Sequence, residues 1–238
     1  MARTGFFHHI GTFFLFAATV LLIITDISAP VVSDISLLKI ELDANTRSFR
    51  HDNNDLGTIT FGTFGYCTRD ISTSGTACSK SHVGYDPVRV VENSLGDVSF
   101  SDAAHDTARA LTKVMVLHPI ATGLAFISFF LSLGAGFVGS FIAALGAFLT
   151  FIVVLVVLIT DFVSFAIVRS AVNDSRSNRV SASWGAASWT TLVAAILTLL
   201  ASVILLFTCC SARLHRRRDS RHRDIKATTS SPLRRRWF

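Results

Sequence analysis

Between Lys113 and Asp161 the chain carries no Asp, Glu, Lys or Arg. A helix that crosses a bilayer needs about 20 apolar residues. This tract therefore has room for two spans and the turn between them. Residues 4–25 and 180–212 form two further uncharged tracts, each long enough for one span. The chain reads as an integral membrane protein with four spans. Only 16% of its residues are charged, against about a quarter in a soluble domain. What lies between the spans is too short for a separate catalytic domain of common size.

The expected order along the chain is a short N-terminal segment (1–5), a first span (6–26), a polar block (27–112) and a second span (113–133). A glycine-rich turn (134–140), a third span with an outer extension (141–168), a loop (169–188), a fourth span (189–210) and a basic tail (211–238) follow. The first span competes with a signal peptide. Ile27-Ser28-Ala29-Pro30 offers no good small-x-small cleavage site, so an uncleaved span is expected.

Charge sets the expected sidedness. The tail holds ten Lys or Arg and two Asp, whereas the polar block holds seven Lys or Arg and eleven Asp or Glu. The basic pI thus belongs to the tail and does not imply a nucleic-acid partner. Arg213, Arg216, Arg217, Arg218, Arg221 and Arg223 directly follow a span, as in segments that contact anionic headgroups. They also mark the cytoplasmic side. With four spans both termini are expected there, and the polar block faces outward. Arg169, Arg176 and Arg179 in the second outer loop oppose this weakly. The same loop contains Asn173-Asp174-Ser175, which makes Asn173 a candidate glycosylation site.

The outer block is expected to be mainly β. Residues 36–42 alternate around Lys39 and Glu41, residues 57–66 suit a strand with a tight bend, and residues 88–91 are a third strand candidate. Residues 101–113 read as a helix capped by Ser101 or Asp102 and running straight into the second span. Cys67 and Cys78 are the only cysteines in this block. In an oxidising compartment they are expected to form a disulfide, a staple worth roughly 2–4 kcal/mol to a small domain.

Gly62-Thr63-Phe64-Gly65-Tyr66-Cys67, with Cys78 beyond it, resembles the G-L-W-x-x-C…C signature of claudin-type four-span proteins. Thr63 and Phe64 depart from it. More closely, the chain resembles the fungal four-span family of PalI-type pH-response regulators and eisosome-associated membrane proteins. Ala29-Pro30-Val31-Val32, Gly84-Tyr85-Asp86, Leu117-His118-Pro119, Asp161 and Trp184-Gly185 continue the match in order. The fold implied is a four-transmembrane-helix bundle with a small β-rich, disulfide-stapled extracellular domain. The function implied is a non-enzymatic plasma-membrane protein that assists assembly or surface placement of an ambient-pH-sensing complex. A seven-span sensor is the implied partner. The alternative is an eisosome-like membrane-organising scaffold or a claudin-like cell-contact protein.

Asp26, Lys113, His118, Asp161 and Arg169 all fall near the outer leaflet in this topology. Charged groups at membrane depth are costly and usually pair or line a functional interior. They read as interfacial anchors and packing pairs, with proton sensing and partner binding as the sharper readings. Cys209 and Cys210 end the fourth span and are candidates for palmitoylation, the alternative being two buried small residues. Trp184 and Trp189 read as interfacial aromatics, His8-His9 as a packing pair, and the tail as disordered. Nucleophile motifs, phosphate loops and a zinc-like ligand set are absent from the sequence, so neither catalysis, a metal nor a cofactor is expected. A channel or transporter is disfavoured because the spans carry almost no polar stripe. A homo-oligomer remains open.

Overall fold

A computed structural model describes residues 6–42, 50–51, 54–70, 75–95, 100–134, 137–174 and 180–229. The elements in chain order are α1 (Phe6–Asp26), β1 (Leu38–Leu42), β2 (Arg50–His51), β3 (Asn54–Phe61), β4 (Tyr66–Asp70) and β5 (Thr76–Cys78). Then come α2 (Pro87–Leu95), α3 (Asp102–Val114), α4 (Leu117–Leu133), α5 (Phe137–Asp174), β6 (Val180–Trp184) and α6 (Ala186–Thr229). Four helical stretches are long and apolar enough to cross a membrane: His8–Asp26, Asp102–Leu133, Gly139–Asn173 and Ala186–Cys210. In the second stretch the uncharged part begins only after Lys113, so most of α3 stands clear of it.

The bundle is a ring in which α1 touches α4 and α6, and α5 touches the same two. Its inner faces carry small residues, among them Ala18, Ala121, Ala125, Ala144, Ala147, Ala194 and Ala201. Large side chains such as Phe13, Phe126, Ile127, Ile159 and Phe207 point away from it. This pattern suits a lipid solvent, where apolar burial gives helices no driving force and close backbone approach does. Gly146 shows the closeness, since a Cβ there would strike Ser128 Oγ.

At one end the chain builds an antiparallel sheet in the order β5-β4-β3-β1-β6, with β2 attached to β3. The alternation expected for residues 36–42 appears in β1. Leu38, Ile40 and Leu42 face inward, while Lys39 and Glu41 form an ion pair on the open face. Leu38 lies opposite Phe61 and Trp184, and Ile40 opposite Ile59 and Ala182. These side chains pack with Val88, Val91, Ala108 and Met115, and with Phe165, Val168 and Val172 of α5. Each fully buried Leu or Ile contributes about 1.5–3 kcal/mol. The 38 residues of α5 reach about 57 Å at 1.5 Å per residue, so the helix spans the bundle and then supplies a wall of the sheet's core.

Several expectations are corrected here. Residues 88–91 are helical, not a strand. Asp86 Oδ1 accepts from Arg89 N at 3.1 Å, Pro87 occupies the first helical position, and Val88 and Val91 face the core three residues apart. The tight bend expected within residues 57–66 is a full reversal at residues 62–65, where Gly62 N donates to Gly65 O at 2.8 Å and β3 hands over to β4. The helix over residues 101–113 has the expected cap, with Ser101 Oγ accepting from Ala104 N, but it breaks at Met115–Val116 before α4 begins. Part of the loop over 169–188 is strand β6, and Trp184 packs on Phe162 with ring centroids 4.6 Å apart. The tail, expected to be disordered, continues α6 as helix through Thr229. Ala135 and Gly136 of the expected turn, the loop over 175–179 and residues 230–238 lie outside the described residues.

Candidate functional site

The residues that carry the resemblance converge where the sheet meets the bundle. After α1 the chain turns through Ser28, Ala29 and Pro30, with a cis bond before the proline. Gly62 sits against this turn so closely that a Cβ would collide with the Ala29 carbonyl. At Gly65 a Cβ would collide with the Ser79 hydroxyl and crowd the Pro30 ring. Thr63, one of the two departures from the claudin pattern, has a local cause. Its amide donates to Ser28 Oγ and its hydroxyl to Thr25 O, each at 3.1 Å, which fastens the turn to the end of α1. Phe64 is half-buried and its carbonyl accepts from His82 N at 3.0 Å. Cys67 and Cys78 are directly opposite on β4 and β5 and form the expected disulfide. Gly185 repeats the device at the start of α6, where a Cβ would collide with the Ser36 carbonyl.

Gly84-Tyr85-Asp86 has a job at each position. Gly84 adopts φ +76°, a conformation that L side chains rarely take, with the Lys113 stem beside it. Tyr85 is buried, donates its hydroxyl to Gly62 O at 2.7 Å, and accepts at its carbonyl from Thr112 Oγ1 at 2.6 Å. Burial, with the Asp161 charge adding, pushes the Tyr85 phenol well above its usual value of 10.0. Asp86 caps α2 with one oxygen and holds His105 Nδ1 with the other at 3.0 Å. The second ring nitrogen of His105 lies 3.0 Å from Glu92 Oε2. Hydrogen bonding to Asp86 first, and to Glu92, holds the His105 pKa above its usual 6.5 against the opposing effect of desolvation.

A second polar group lies inside the bundle at its sheet end. His118 Nε2 is 3.0 Å from Asp161 Oδ2, and both residues are buried. Asp26 Oδ2 accepts from Thr122 Oγ1 at 2.6 Å, and the same hydroxyl reaches back to His118 O. The structure thus brings together Asp26, His118 and Asp161, which are far apart in sequence. Asp26 Oδ1, His118 Nδ1, Asp161 Oδ1 and Ser164 Oγ find no hydrogen-bond partner among the described residues. Buried groups of this kind concentrate where polar chemistry is retained in a membrane protein. Among the described residues no cluster of His, Cys, Asp and Glu could hold a metal ion.

Other predicted residues separate. Arg169 donates to Ala182 O at 3.2 Å and stands over the Trp184 ring, so it serves β6 rather than the polar group. Asn173 uses both ends of its amide on Ala182, accepting at Oδ1 at 2.9 Å and donating from Nδ2 at 3.4 Å. A glycan on Nδ2 would have to precede or displace that contact, and Ser175 of the sequon lies outside the described residues. Trp189 is exposed at the sheet end, and His8 Nε2 lies 3.0 Å from Ser132 O at the opposite end. Cys209 is buried and Cys210 exposed, which splits the candidate acylation pair. The side chains of Arg213, Arg216, Arg217, Arg218, Arg221 and Arg223 lie outside the described residues.

Sequence reasoning missed the His105 bridge, Ser28 and Thr63, and the role of Ser36. A capping aspartate at Asp86 with glutamate six residues on was a usable signal, but only the fold brings His105 to them.

The comparisons agree with this geometry. The chain is 31% identical over 123 residues to the pH-response regulator protein palI/prr-5 of Neurospora crassa, covering 52% of this chain and 15% of that protein. It is 32% identical over 124 residues to the pH-response regulator protein palI/RIM9 of Emericella nidulans, covering 52% of this chain and 18% of that protein. The chain therefore spans less than a fifth of the length of these relatives. The description SUR7/PalI family matches residues 7–216, taking in every span and the whole sheet. With the glycine junction, the disulfide and four apolar helices in place, this multi-pass membrane protein belongs to the SUR7/PalI family.

Proposed function

We propose that this chain is a non-enzymatic plasma-membrane protein that assists assembly or surface placement of an ambient-pH-sensing receptor complex. The observation that carries the reading is its similarity to two proteins named as pH-response regulators. Both termini are cytoplasmic and the sheet faces outward. This sidedness is supported by the basic segment after the fourth span and by a disulfide, which persists in an oxidising compartment. The basic segment lies along the anionic inner leaflet. In this reading the sheet and the buried Asp26–His118–Asp161 group supply a rigid, polar-anchored surface for a membrane partner, and the chain performs no chemistry of its own.

The second reading is a membrane-organising scaffold or cell-contact protein. It is favoured by a family description that joins PalI to SUR7. Deleting the gene separates the two. Lost growth at alkaline pH with surface patches intact supports the regulator. Dispersed patches with normal alkaline growth support the scaffold and remove the first reading.

A further inference from the structure

The geometry points to His105 as a proton-operated latch that holds α2 against α3 and loosens as the solution bathing the sheet end turns alkaline. This rests on side-chain geometry and stands or falls apart from the pH-response reading above. Both ring nitrogens meet carboxylate oxygens at 3.0 Å, Nδ1 with Asp86 and Nε2 with Glu92. A carboxylate only accepts, and a neutral imidazole has one N–H. The two contacts can both be hydrogen bonds only for the doubly protonated ring. In the neutral ring one nitrogen turns a lone pair toward an anionic oxygen, and that arm of the bridge becomes repulsive.

The bridge is placed to matter. Asp86 and Glu92 belong to the start and body of α2, while His105 belongs to α3, so the ring joins two elements. Each carboxylate is also fixed from its other oxygen, by Arg89 N at 3.1 Å and by Phe100 N at 2.8 Å. The acceptors therefore cannot simply swing away. The His105 side chain is 20% exposed, which lets its proton exchange with solvent.

Among the described residues the charged groups around the ring are few. From α2 they are Asp86, Glu92 and Arg89, whose Nε is 4.0 Å from Asp86 Oδ2 and is the competing cation. On α3 itself Asp102, Asp106 and Arg109 lie within four residues of His105. The face of α5 that packs here offers Val168 and Val172, with Arg169 committed to Ala182 and Trp184. Arg89 can partly neutralise Asp86, whereas among the described residues the cation that meets Glu92 is His105, so the Glu92 arm depends on the His105 charge.

The sign follows from linkage. A histidine held above its usual value of 6.5 in the folded state stabilises the latch fully below that pH. The contribution is lost as pH rises through the folded-state pKa. Since α2 contributes Val88 and Val91 to the core, a released latch frees apolar side chains that the sheet otherwise keeps covered.

Hydrogen–deuterium exchange on the full chain in lipid nanodiscs tests this, with rates corrected for the intrinsic pH dependence of exchange. In the wild type, amides of residues 88–95 should exchange severalfold faster as pH is raised from below to well above 6.5, while those of β3 and β4 hold. In His105→Gln the α2 rates should be fast and flat with pH. Flat wild-type rates, or a pH dependence that survives in His105→Gln, overturn the latch. Should that variant not fold, Glu92→Gln keeps the Asp86 contact and should shift the midpoint to lower pH. An unmoved midpoint also overturns the latch. The readout is made on purified protein, so it is independent of whether a deletion strain grows at alkaline pH.

Discussion

Tyr85 donates its hydroxyl hydrogen to the carbonyl of Gly62 across 2.7 Å, tying the turn before α2 to the glycine junction beside α1. Removing the donor leaves a buried carbonyl without that partner, which costs about 1–3 kcal/mol. Tyr85→Phe should lower the thermal stability of the detergent-solubilised protein by that order. The same burial makes the phenol hard to ionise. Its folded pKa lies above the unfolded value of 10.0, so its contribution is intact below pH 10 and is lost as pH climbs beyond it. In a Tyr66→Phe background the remaining tyrosinate absorbance should appear only together with unfolding. Ionisation that precedes unfolding would contradict the buried hydrogen bond.

Gly62→Ala should be among the most damaging single-methyl changes in the chain. The new carbon collides with backbone at Ala29, which cannot rotate away as a side chain could. Overpacking of ordinary side chains costs about 1–3 kcal/mol, and this site should exceed that range. Gly123→Ala is the control, because nothing lies within 4 Å of a Cβ there. It should be neutral or slightly stabilising through helix propensity. Equal melting temperatures for the two variants would contradict the junction's role.

Breaking the pair between His118 and Asp161 should be costly. Leaving one member buried and unpaired costs about 3–5 kcal/mol. Asp161→Ala should therefore destabilise the bundle strongly, as read by loss of monodisperse protein on heating. Adding His118→Ala should cost much less than the first change did. Simple additivity of the two losses would mean that they do not act as a pair.

Acylation at the end of the fourth span should be asymmetric. Cys210 is exposed, whereas Cys209 faces the bundle. Metabolic labelling with a clickable palmitate analogue should be lost in Cys210→Ser and kept in Cys209→Ser. Loss in the second variant alone would reverse the assignment.

The basic segment should bind anionic membranes. A synthetic peptide of residues 211–238 should associate with vesicles containing phosphatidylserine far more than with neutral ones, and gain helicity there. Each basic residue contributes about 1 kcal/mol near such a surface, and the attraction decays within a Debye length of about 8 Å at physiological salt. Equal binding to both vesicle types would leave the arginines as a topology signal only.

The bundle could be read from the sequence because its determinant is one-dimensional. An uninterrupted apolar run means a span whatever its neighbours are. Strand β1 was readable for a similar reason, since Lys39 and Glu41 mark its solvent face within the strand itself. Val88 to Val91 misled because β-branched residues favour strands, while the deciding information was the Asp86 cap and the i, i+3 placement of Val88 and Val91. Strand β6 gave little signal. Val180-Ser181-Ala182-Ser183-Trp184 is a strand because β1 offers it an edge, Asn173 holds Ala182 and Arg169 covers Trp184. Of the candidate site, the motif residues were visible, but their shared purpose was not. Gly62, Gly65 and Gly185 are explained by Ala29, Ser79 and Ser36, and no pattern along the chain joins them.

The position of β1 between β3 and β6 orders events during synthesis. Its partner on one side is made almost at once, whereas the other is translated only after α3, α4 and α5. Until α5 has been threaded through the bilayer and β6 emerges beyond it, one flank of β1 presents bare amide and carbonyl groups, the kind of edge that recruits stray strands. The sheet can therefore be completed only after the third apolar helix has been made. A chain that ends before Val180 leaves that flank of β1 without its strand partner.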